Sequence, residues 1–574
     1  MKHNTNGVKR MLSLAVAVGL LSASSYAQAA PVSNAEPTNP NRPTAGSTMS
    51  DLNQTNPAGV KVPGAATVEV SEAERPALKL PNELRVQVND FKITGQTLYP
   101  EEKLKAMLTE DKGKMLTFGD LQKGADKLTQ FFKDQGYSVA RVYLPVQKIA
   151  NGVVEYAVTI GQFDNIKITN NTSIHDSVVH QETQFIKKGS YIKKQDIERA
   201  VWLLSDLAGA DAKMTISPGT QPGTSNLEII LNPYSGKNGL FYIDNYGNRS
   251  TGYNEFGVSY DFLNPARRGD HLALDFVTTG KDLNNGSINY TAPIWKDGLT
   301  VNAGLSSLNY ALGDVYEYLD AVGTAKVYHL GFDYAIQRAQ HHNLYAGLRA
   351  EHSYLKDEYR YYGLTYGDKQ SSAMIASLYG NEQDAKGSTN WRVDYKFGNL
   401  TFGNADTHRY FDAANTEGNY SKVNANIVRR QAIDNRLSLL LSARGQYSSR
   451  NLDSSERMSL GGANGVRAYP QGEASGDIGY FTRAELRWLL PLKKQDQSLI
   501  AAFYLEHGGV LINKSSSASD NQRKLQGIGV GLEWSRKDDW FLRTDYAWRL
   551  GADRPTSDTT FSNGHFWIRG GVYF

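Results

Sequence analysis

The chain has 574 residues and no cysteine, which excludes disulfide frameworks, thiolate metal sites, iron–sulfur clusters and cysteine nucleophiles together. Its formal net charge of +3 points to no nucleic-acid partner. With 53 Gly, 33 Tyr, 20 Phe and 8 Trp but a mean hydropathy of −0.47, it reads as many strands joined by tight turns, not as a helical membrane protein.

Lys2, Lys9 and Arg10 precede an apolar run from Met11 to Leu21, and Ala27-Gln28-Ala29 is an A-x-A cleavage site. Residues 1–29 are therefore expected to be a secretory signal. The run is too short to be a membrane anchor, and no later stretch of about 18 apolar residues follows. A mature chain that enters a membrane must then do so as a closed barrel. Residues 30–81 are rich in Pro, Asn, Thr, Ser and Ala without sustained periodicity, and read as a flexible linker or a plug that docks elsewhere, with a short helical signal near Val68 to Ala73.

Residues 82–161 change character. Leu84 to Ile93 alternates like a strand, and Pro100 to Leu108 has a helix-starting proline. Phe118 to Gln135 carries Leu121, Ala125, Leu128, Phe131 and Phe132 at helical spacing, and Gly136 ends it. Tyr137 to Leu144 and Val153 to Ile160 read as paired strands. The β-α-α-β-β order then repeats over 162–233: Phe163 to Ile168, helices His175 to Phe185 and Lys194 to Leu207, then strands Ala212 to Ile216 and Asn226 to Leu231. Each unit is expected to be a small soluble α+β domain.

From Tyr234 the helical period disappears. Sixteen strands are expected over 234–574, centred on Tyr242, Gly257, Leu274, Asn289, Ala303, Gly331, Tyr345, Ile375, Val393, Asn426, Leu439, Ala484, Phe503, Gly529, Arg543 and Gly570. Asn284-Asn285-Gly286, Lys296-Asp297-Gly298 and Lys537-Asp538-Asp539 are read as turns between them. An even number is what a single-chain bacterial barrel requires. A soluble sandwich is the competing reading, and the many long strands and aromatic load argue against it. The last strand places Phe566, Ile568, Val572 and Phe574 on one face, and Trp567, Arg569, Gly571 and Tyr573 on the other. Val572 and the terminal Phe574 form the pattern that an insertion machinery reads on an outer-membrane barrel.

Between the strands ending near Ser449 and starting near Ile478 runs a long segment from Met458 to Glu473. Gly461, Gly462 and Gly465 permit tight turns ahead of Val466-Arg467-Ala468-Tyr469-Pro470. By residue type alone this could be a solvated surface loop. The pattern resembles the VRG[YF] loop of the polypeptide-transporting barrel superfamily in its two-partner secretion (TpsB) branch, the ShlB/FhaC/HecB-like haemolysin activator and secretion family. The two β-α-α-β-β units likewise resemble that family's pair of polypeptide-transport-associated (POTRA) domains.

The resemblance implies a fold and a role. The fold is a sixteen-stranded antiparallel transmembrane barrel behind two periplasmic POTRA domains, with residues 450–478 folded into the lumen. The family pairs the loop arginine with an acid of an F-x-D-x-G motif, matched here by Tyr504-Leu-Glu506-His-Gly508. Glu506 is thus the implied partner of Arg467, with Glu485 a rival, and Ala468 stands where the family has glycine. The implied function is recognition of an unfolded exoprotein in the periplasm and its passage to the cell surface. Its partner would be a large secreted β-repeat protein, a TpsA-like adhesin, haemolysin or contact-dependent toxin. Outer-membrane lipids and the barrel assembly machinery complete the expected partners of a monomer. A barrel-assembly factor of the same superfamily and a passive porin-like channel are the alternatives. Exposed POTRA sheet edges, with Tyr137 to Leu144 and Ala212 to Ile216 as candidates, would take up an extended peptide by strand addition.

No enzymatic chemistry, metal or cofactor is expected. No G-x-x-x-x-G-K-[ST] segment occurs, and Gly527-Ile-Gly-Val-Gly531 reads as a glycine-rich strand. His341 and His342 read as a solvated turn, since neighbours on a strand would point to opposite faces. Glu351, Asp357 and Glu358 read as rim charges.

Overall fold

The computed structural model describes residues 42–55, 66–70, 85–403, 412–516, 520–551, 553–558 and 563–574. The expected signal, 1–29, lies outside them, as does most of 30–81. Sixteen antiparallel strands close a barrel in simple chain order, and each expected strand centre falls in a different one. The sixth strand, Ala321–Arg338, shows why such residues make a membrane wall. Tyr328, Leu330, Phe332, Tyr334 and Ile336 are exposed on the outer face. Between them, Asp333 accepts hydrogen bonds inside the barrel from Asn302 and Tyr379. Alternating apolar and polar residues therefore meet lipid and lumen in turn.

Strand length is uneven. The eighth strand, Leu364–Asp384, has 21 residues, whereas the first, Gly239–Asp244, has six. The first closes the barrel against the sixteenth, Gly564–Tyr573, in register from Leu240↔Tyr573 to Asp244↔Arg569. Beyond Asp244 the Asn245 side chain continues the ladder, accepting from the Ile568 N–H at 2.8 Å and donating to Phe566 O at 2.8 Å. Asn284-Asn285-Gly286, read as a turn, lies instead inside the fourth strand, Leu283–Pro293. Asn285 faces the lumen, where its amide oxygen accepts from Ser306 at 3.2 Å, and Asn284, on the other face, accepts from Thr278 at 2.8 Å. These polar residues are paired along the wall and do not mark a bend.

The first α+β unit has a three-stranded sheet in the order Asp90–Thr94, Val153–Ile160, Ala140–Tyr143, the first pair parallel. Helices α2 (Glu101–Ala106) and α3 (Phe118–Asp134) pack on it, whereas α1 (Ala45–Thr55) lies in the barrel. Leu121, Ala125, Leu128 and Phe132 form the buried stripe of α3. Thr117 and Asp120 make a reciprocal capping box, whose hydrogen bonds hold the Asp120 carboxyl down at about 2. Leu84 to Ile93 is not one strand: Arg85–Gln87 pairs with Met115–Thr117, and Asp90–Thr94 pairs with Val153–Ala157. The chain changes partners at Val88 and Asn89, whose amides donate to Lys114 O and Gly152 O.

The second unit comprises Gln162–Asn170, α4 (Asp176–Thr183), α5 (Lys194–Ser205), Ala210–Pro218 and Thr224–Pro233. Ala66–Val70 adds to this sheet as a fourth strand, parallel to Ala212–Ile216. Two expectations are corrected by it. The segment beginning at Val68 is extended through Val70, as its β-branched residues favour, and the Ala212–Ile216 edge is covered by the chain itself. Ala140–Tyr143 remains an edge strand.

This unit grips the turns at one end of the barrel. Arg199 donates to the Asp297 carboxylate at 2.6 Å and to Ala335 O at 2.8 Å, and Arg338 forms a fork with Asp206, both arms 2.7 Å. Glu182 is buried against the Lys296–Gly298 turn and accepts the Gly298 N–H at 2.8 Å. Burial pushes its carboxyl up to about 7.

Helix α1, Ala45–Thr55, lies in the lumen. Ala45, Met49 and Leu52 pack against Tyr242, Leu308, Tyr310 and Leu355 of the wall. Asp357 accepts the Ala45 N–H at 2.8 Å, satisfying a helix N-terminal donor. Asp357 is thus a buried lumen residue and not a rim charge, and Glu351 likewise turns inward to Lys396 at 2.8 Å.

Candidate functional site

The long segment leaves the eleventh strand, Leu437–Ser448, turns inward and rejoins the wall at the twelfth, Ile478–Leu490. A two-residue ladder, Met458↔Gly476 and Ser459↔Ser475, narrows its neck. Past it the backbone winds tightly: Val466 N–H donates to Leu460 O at 2.7 Å, Gly465 N–H to Gly462 O at 2.9 Å, and Tyr469 N–H to Val466 O at 3.1 Å. Gly462 has φ +97, and a Cβ on Gly465 would lie 1.8 Å from Leu460 O. These positions therefore need glycine. Residues 465–471 are all buried.

Arg467 is 1% exposed and touches three carboxylates on three strands. Nε donates to Glu506 at 2.7 Å, Nη2 to Glu485 at 2.8 Å and Nη1 to Asp545 at 2.7 Å. Its backbone N–H also donates to Glu506, at 2.7 Å. Glu506 and Glu485 are therefore joint partners, and Asp545 is a third that sequence reasoning missed. The guanidinium carbon lies over the Tyr504 ring, 3.3 Å from its centre. Further arginines balance the acids: Arg483 on Glu506 at 2.6 Å, Arg487 on Glu485 at 2.9 Å and on Glu533 at 2.7 Å, and Arg543 on Asp545 at 2.8 Å. Four guanidinium groups thus face four carboxylates, so no acid in the set lacks a counter-charge.

The fourteenth strand, Gln522–Arg536, makes room for the loop. A Cβ on Gly527 would lie 2.7 Å from the Ala468 methyl, one on Gly529 2.4 Å from the Tyr504 ring, and one on Gly531 2.6 Å from Asp545. The glycine run is a groove that admits the loop motif and its aromatic platform. Ala468 is buried there without a left-handed backbone, so its methyl group costs no strain. Tyr469 is fully buried and donates to Asp553 O at 3.2 Å; Pro470 is buried beside it. The last strand contributes Trp567, whose indole N–H donates to Arg467 O at 2.7 Å. Glu473, at the return of the loop, accepts from Arg523 at 2.6 Å and from the amides of Thr556 and Ser557.

The remaining candidates lie elsewhere. His341 and His342 are exposed, His342 beside Glu382 at 3.4 Å, and Glu358 pairs with Lys356 at 2.7 Å. Among the described residues no group of three or more His, Asp or Glu is placed to hold a metal. Val572 pairs with Phe241 and Trp540, and Phe574 is half-exposed with its ring stacked on Tyr260.

An inward loop held by an arginine on the wall of a sixteen-stranded barrel agrees with the sequence family. Residues 223–534 match the model of the haemolysin secretion/activation protein family ShlB/FhaC/HecB. The chain belongs to this family. Residues 86–161 match the ShlB-type POTRA domain. The Haemophilus influenzae (strain 86-028NP) heme/hemopexin transporter protein HuxB is 25% identical over 525 residues, covering 90% of this chain and 91% of that one. The Escherichia coli outer membrane transporter CdiB is 23% identical over 417 residues, 70% of this chain and 69% of that one. A solved structure of CdiB from Escherichia coli superposes with a TM-score of 0.72 at 19% identity, over 87% of this chain and 93% of that one. This ShlB-family chain is an outer-membrane transporter of two-partner secretion, with its POTRA region in the periplasm. Transporters of this kind work with a secreted exoprotein.

Proposed function

We propose that the exoprotein is a large β-repeat chain, bound unfolded in the periplasm and threaded through the lumen when the inward loop shifts. The observation that carries this reading is the Arg467 site. A single cation shared by three carboxylates from separate strands fixes the loop, yet another set of carboxylate partners could replace it. Removing one partner of a buried ion pair costs about 3–5 kcal/mol, enough to favour one loop position strongly over others. Residues 450–478 are thus read as the gate and Arg467 as its anchor, with Val466, Ala468, Tyr469 and Pro470 seating it.

Recognition is assigned to strand addition on the first POTRA unit, 82–161, at Ala140–Tyr143. That edge is unpaired on one side, and Tyr143 and Val146 beside it are exposed. The corresponding edge of the second unit, 162–233, becomes available only when Ala66–Val70 leaves it. The chain performs passage and no reaction, acts as a monomer in lipid, and is delivered by the assembly machinery through Val572 and Phe574.

Deletion of the gene removes one large protein from the culture medium. Wild-type protein restores it, and Arg467→Ala, assembled to the same level in the outer membrane, does not. Normal secretion by assembled Arg467→Ala overturns the anchor. A general loss of other outer-membrane barrels on deletion would instead indicate an assembly factor.

A further inference from the structure

Below its tip the inward loop is held a second time, by different residues on a neighbouring arc of the wall. The short turn Ser454–Glu456 lies just inside the entry of the loop. Glu456 is 6% exposed. One carboxylate oxygen accepts from Lys396 at 2.6 Å and from Tyr420 at 2.9 Å; the other faces Lys422 at 2.9 Å. Lys422 also reaches Glu456 O at 2.7 Å, and Gln446 donates to that carbonyl at 3.0 Å. Asp453 pairs with Lys369 and caps the turn by accepting the Ser455 N–H at 3.1 Å. The three lysines stand on the eighth, ninth and tenth strands, whereas the partners of Arg467 stand on the twelfth, thirteenth and fifteenth. The two clamps share no residue, and their signs are opposite: the tip brings a cation to acids, the stem brings acids to cations.

Helix α1 rests on this stem. The Thr44 and Ser454 hydroxyls are 2.8 Å apart. At Gly46 the helix comes so near the turn that a Cβ would lie 2.5 Å from the Ser455 Cβ. No side chain larger than hydrogen fits there, so the position of the turn decides whether the helix can sit.

We propose that Glu456 is a positioning residue for the lumen helix: clamped by Lys396 and Lys422, it sets the seat on which α1 closes the pore. It governs the helix as Arg467 governs the tip. Neutralising Glu456 leaves Lys422 buried with neutral acceptors only, while Lys396 keeps Glu351. The turn relaxes, the close packing at Gly46 is lost, and α1 leaves the lumen. The inference rests on the loop being the gate, but the two fail separately, because helix seating is read without secretion.

The absence of cysteine allows a direct test in the full chain. A Thr44→Cys/Ser454→Cys pair reports the seat by disulfide formation in outer membranes, and planar-bilayer recordings report the open state. Glu456→Gln is expected to cut disulfide yield and raise the open probability by about tenfold or more, a factor that corresponds to ~1.4 kcal/mol. Arg467→Ala leaves the disulfide yield unchanged. Lys422→Gln acts in the same direction, and the double variant is no more open than the stronger single one, since both act through one contact. If Glu456→Gln does not assemble, Lys422→Gln carries the same expectations. Wild-type disulfide yield and conductance in an assembled variant overturn the proposal, as does additivity of the pair.

Discussion

Arg467 does what a lysine could not. Its planar fork spreads three separate donors toward Glu485, Glu506 and Asp545 while its central carbon lies over the Tyr504 ring. An ammonium is a point charge and would satisfy fewer of them. The stack in turn needs the bare backbone of Gly529, which a methyl group would bring within 2.4 Å of the Tyr504 ring. Gly529→Ala is therefore expected to displace Tyr504, lower secretion sharply and destabilise the loop by about 1–3 kcal/mol. Secretion assays and thermal unfolding of the purified barrel check this, and wild-type values for both would count against the stack. Arg467 and Glu506 were readable only through the family resemblance, whose loop motif and F-x-D-x-G pattern match Val466–Pro470 and Tyr504–Gly508, with Glu485 the rival acid on the twelfth strand. Asp545 was not, because its place beside Arg467 follows from strand parity and register across four strands, which no local pattern reports. The glycine run at 527–531 was visible, but its partners, Ala468 and Tyr504, come from distant parts of the chain.

Among the elements, helices α2 to α5 begin and end within two residues of where periodicity and caps place them, because their stripes are buried locally. Errors fell on segments that borrow a partner: the split at Val88–Asn89, and Ala66–Val70, which completes a sheet formed by residues about 150 positions away. The junction between the second POTRA unit and the barrel carries a charge-dependent contact. Glu182 is buried between α4 and the Lys296–Gly298 turn, near Arg199, Asp206 and Asp297. Its carboxyl titrates at about 7 in the docked state against 4.5 ordinarily. The docked state thus binds more protons across that window, and stability present below pH 4.5 is lost as pH rises through about 7. Roughly 3 kcal/mol is at stake. Thermal unfolding between pH 5 and 8 is expected to show a falling midpoint with rising pH. Glu182→Gln flattens the curve and gains stability at pH 8; an unchanged slope in that variant would remove Glu182 as the cause.

Taken whole, the molecule is a wide barrel whose lumen is filled by two of its own segments, a helix from before the POTRA units and a loop from the outer side. Helix α1 and the loop tip are tied to different arcs of wall, so the helix can leave its seat on the stem while the tip stays in place. The barrel class, its sixteen strands and its two-unit α+β arm could be read from alternation and repetition, which survive in a single sequence. That residues 450–478 enter the lumen came from the resemblance; the contacts that hold them and helix α1 there could not be read, since they depend on which side chains meet across the open space.

The unequal strands have a consequence for breathing of the wall. The sixth and seventh strands share a register of 17 residue pairs, whereas the first and sixteenth share five before Asn245 takes over with its side chain. Opening free energy grows with the number of bonds that must break together. In a lipid bilayer, deuterium uptake at residues 240–244 and 569–573 is expected to outpace uptake along the sixth and seventh strands, and Asn245→Ala to widen the difference. The transporter would then admit isotope along one line of its wall first, beside the Asp244–Arg569 pair that staples that line from within.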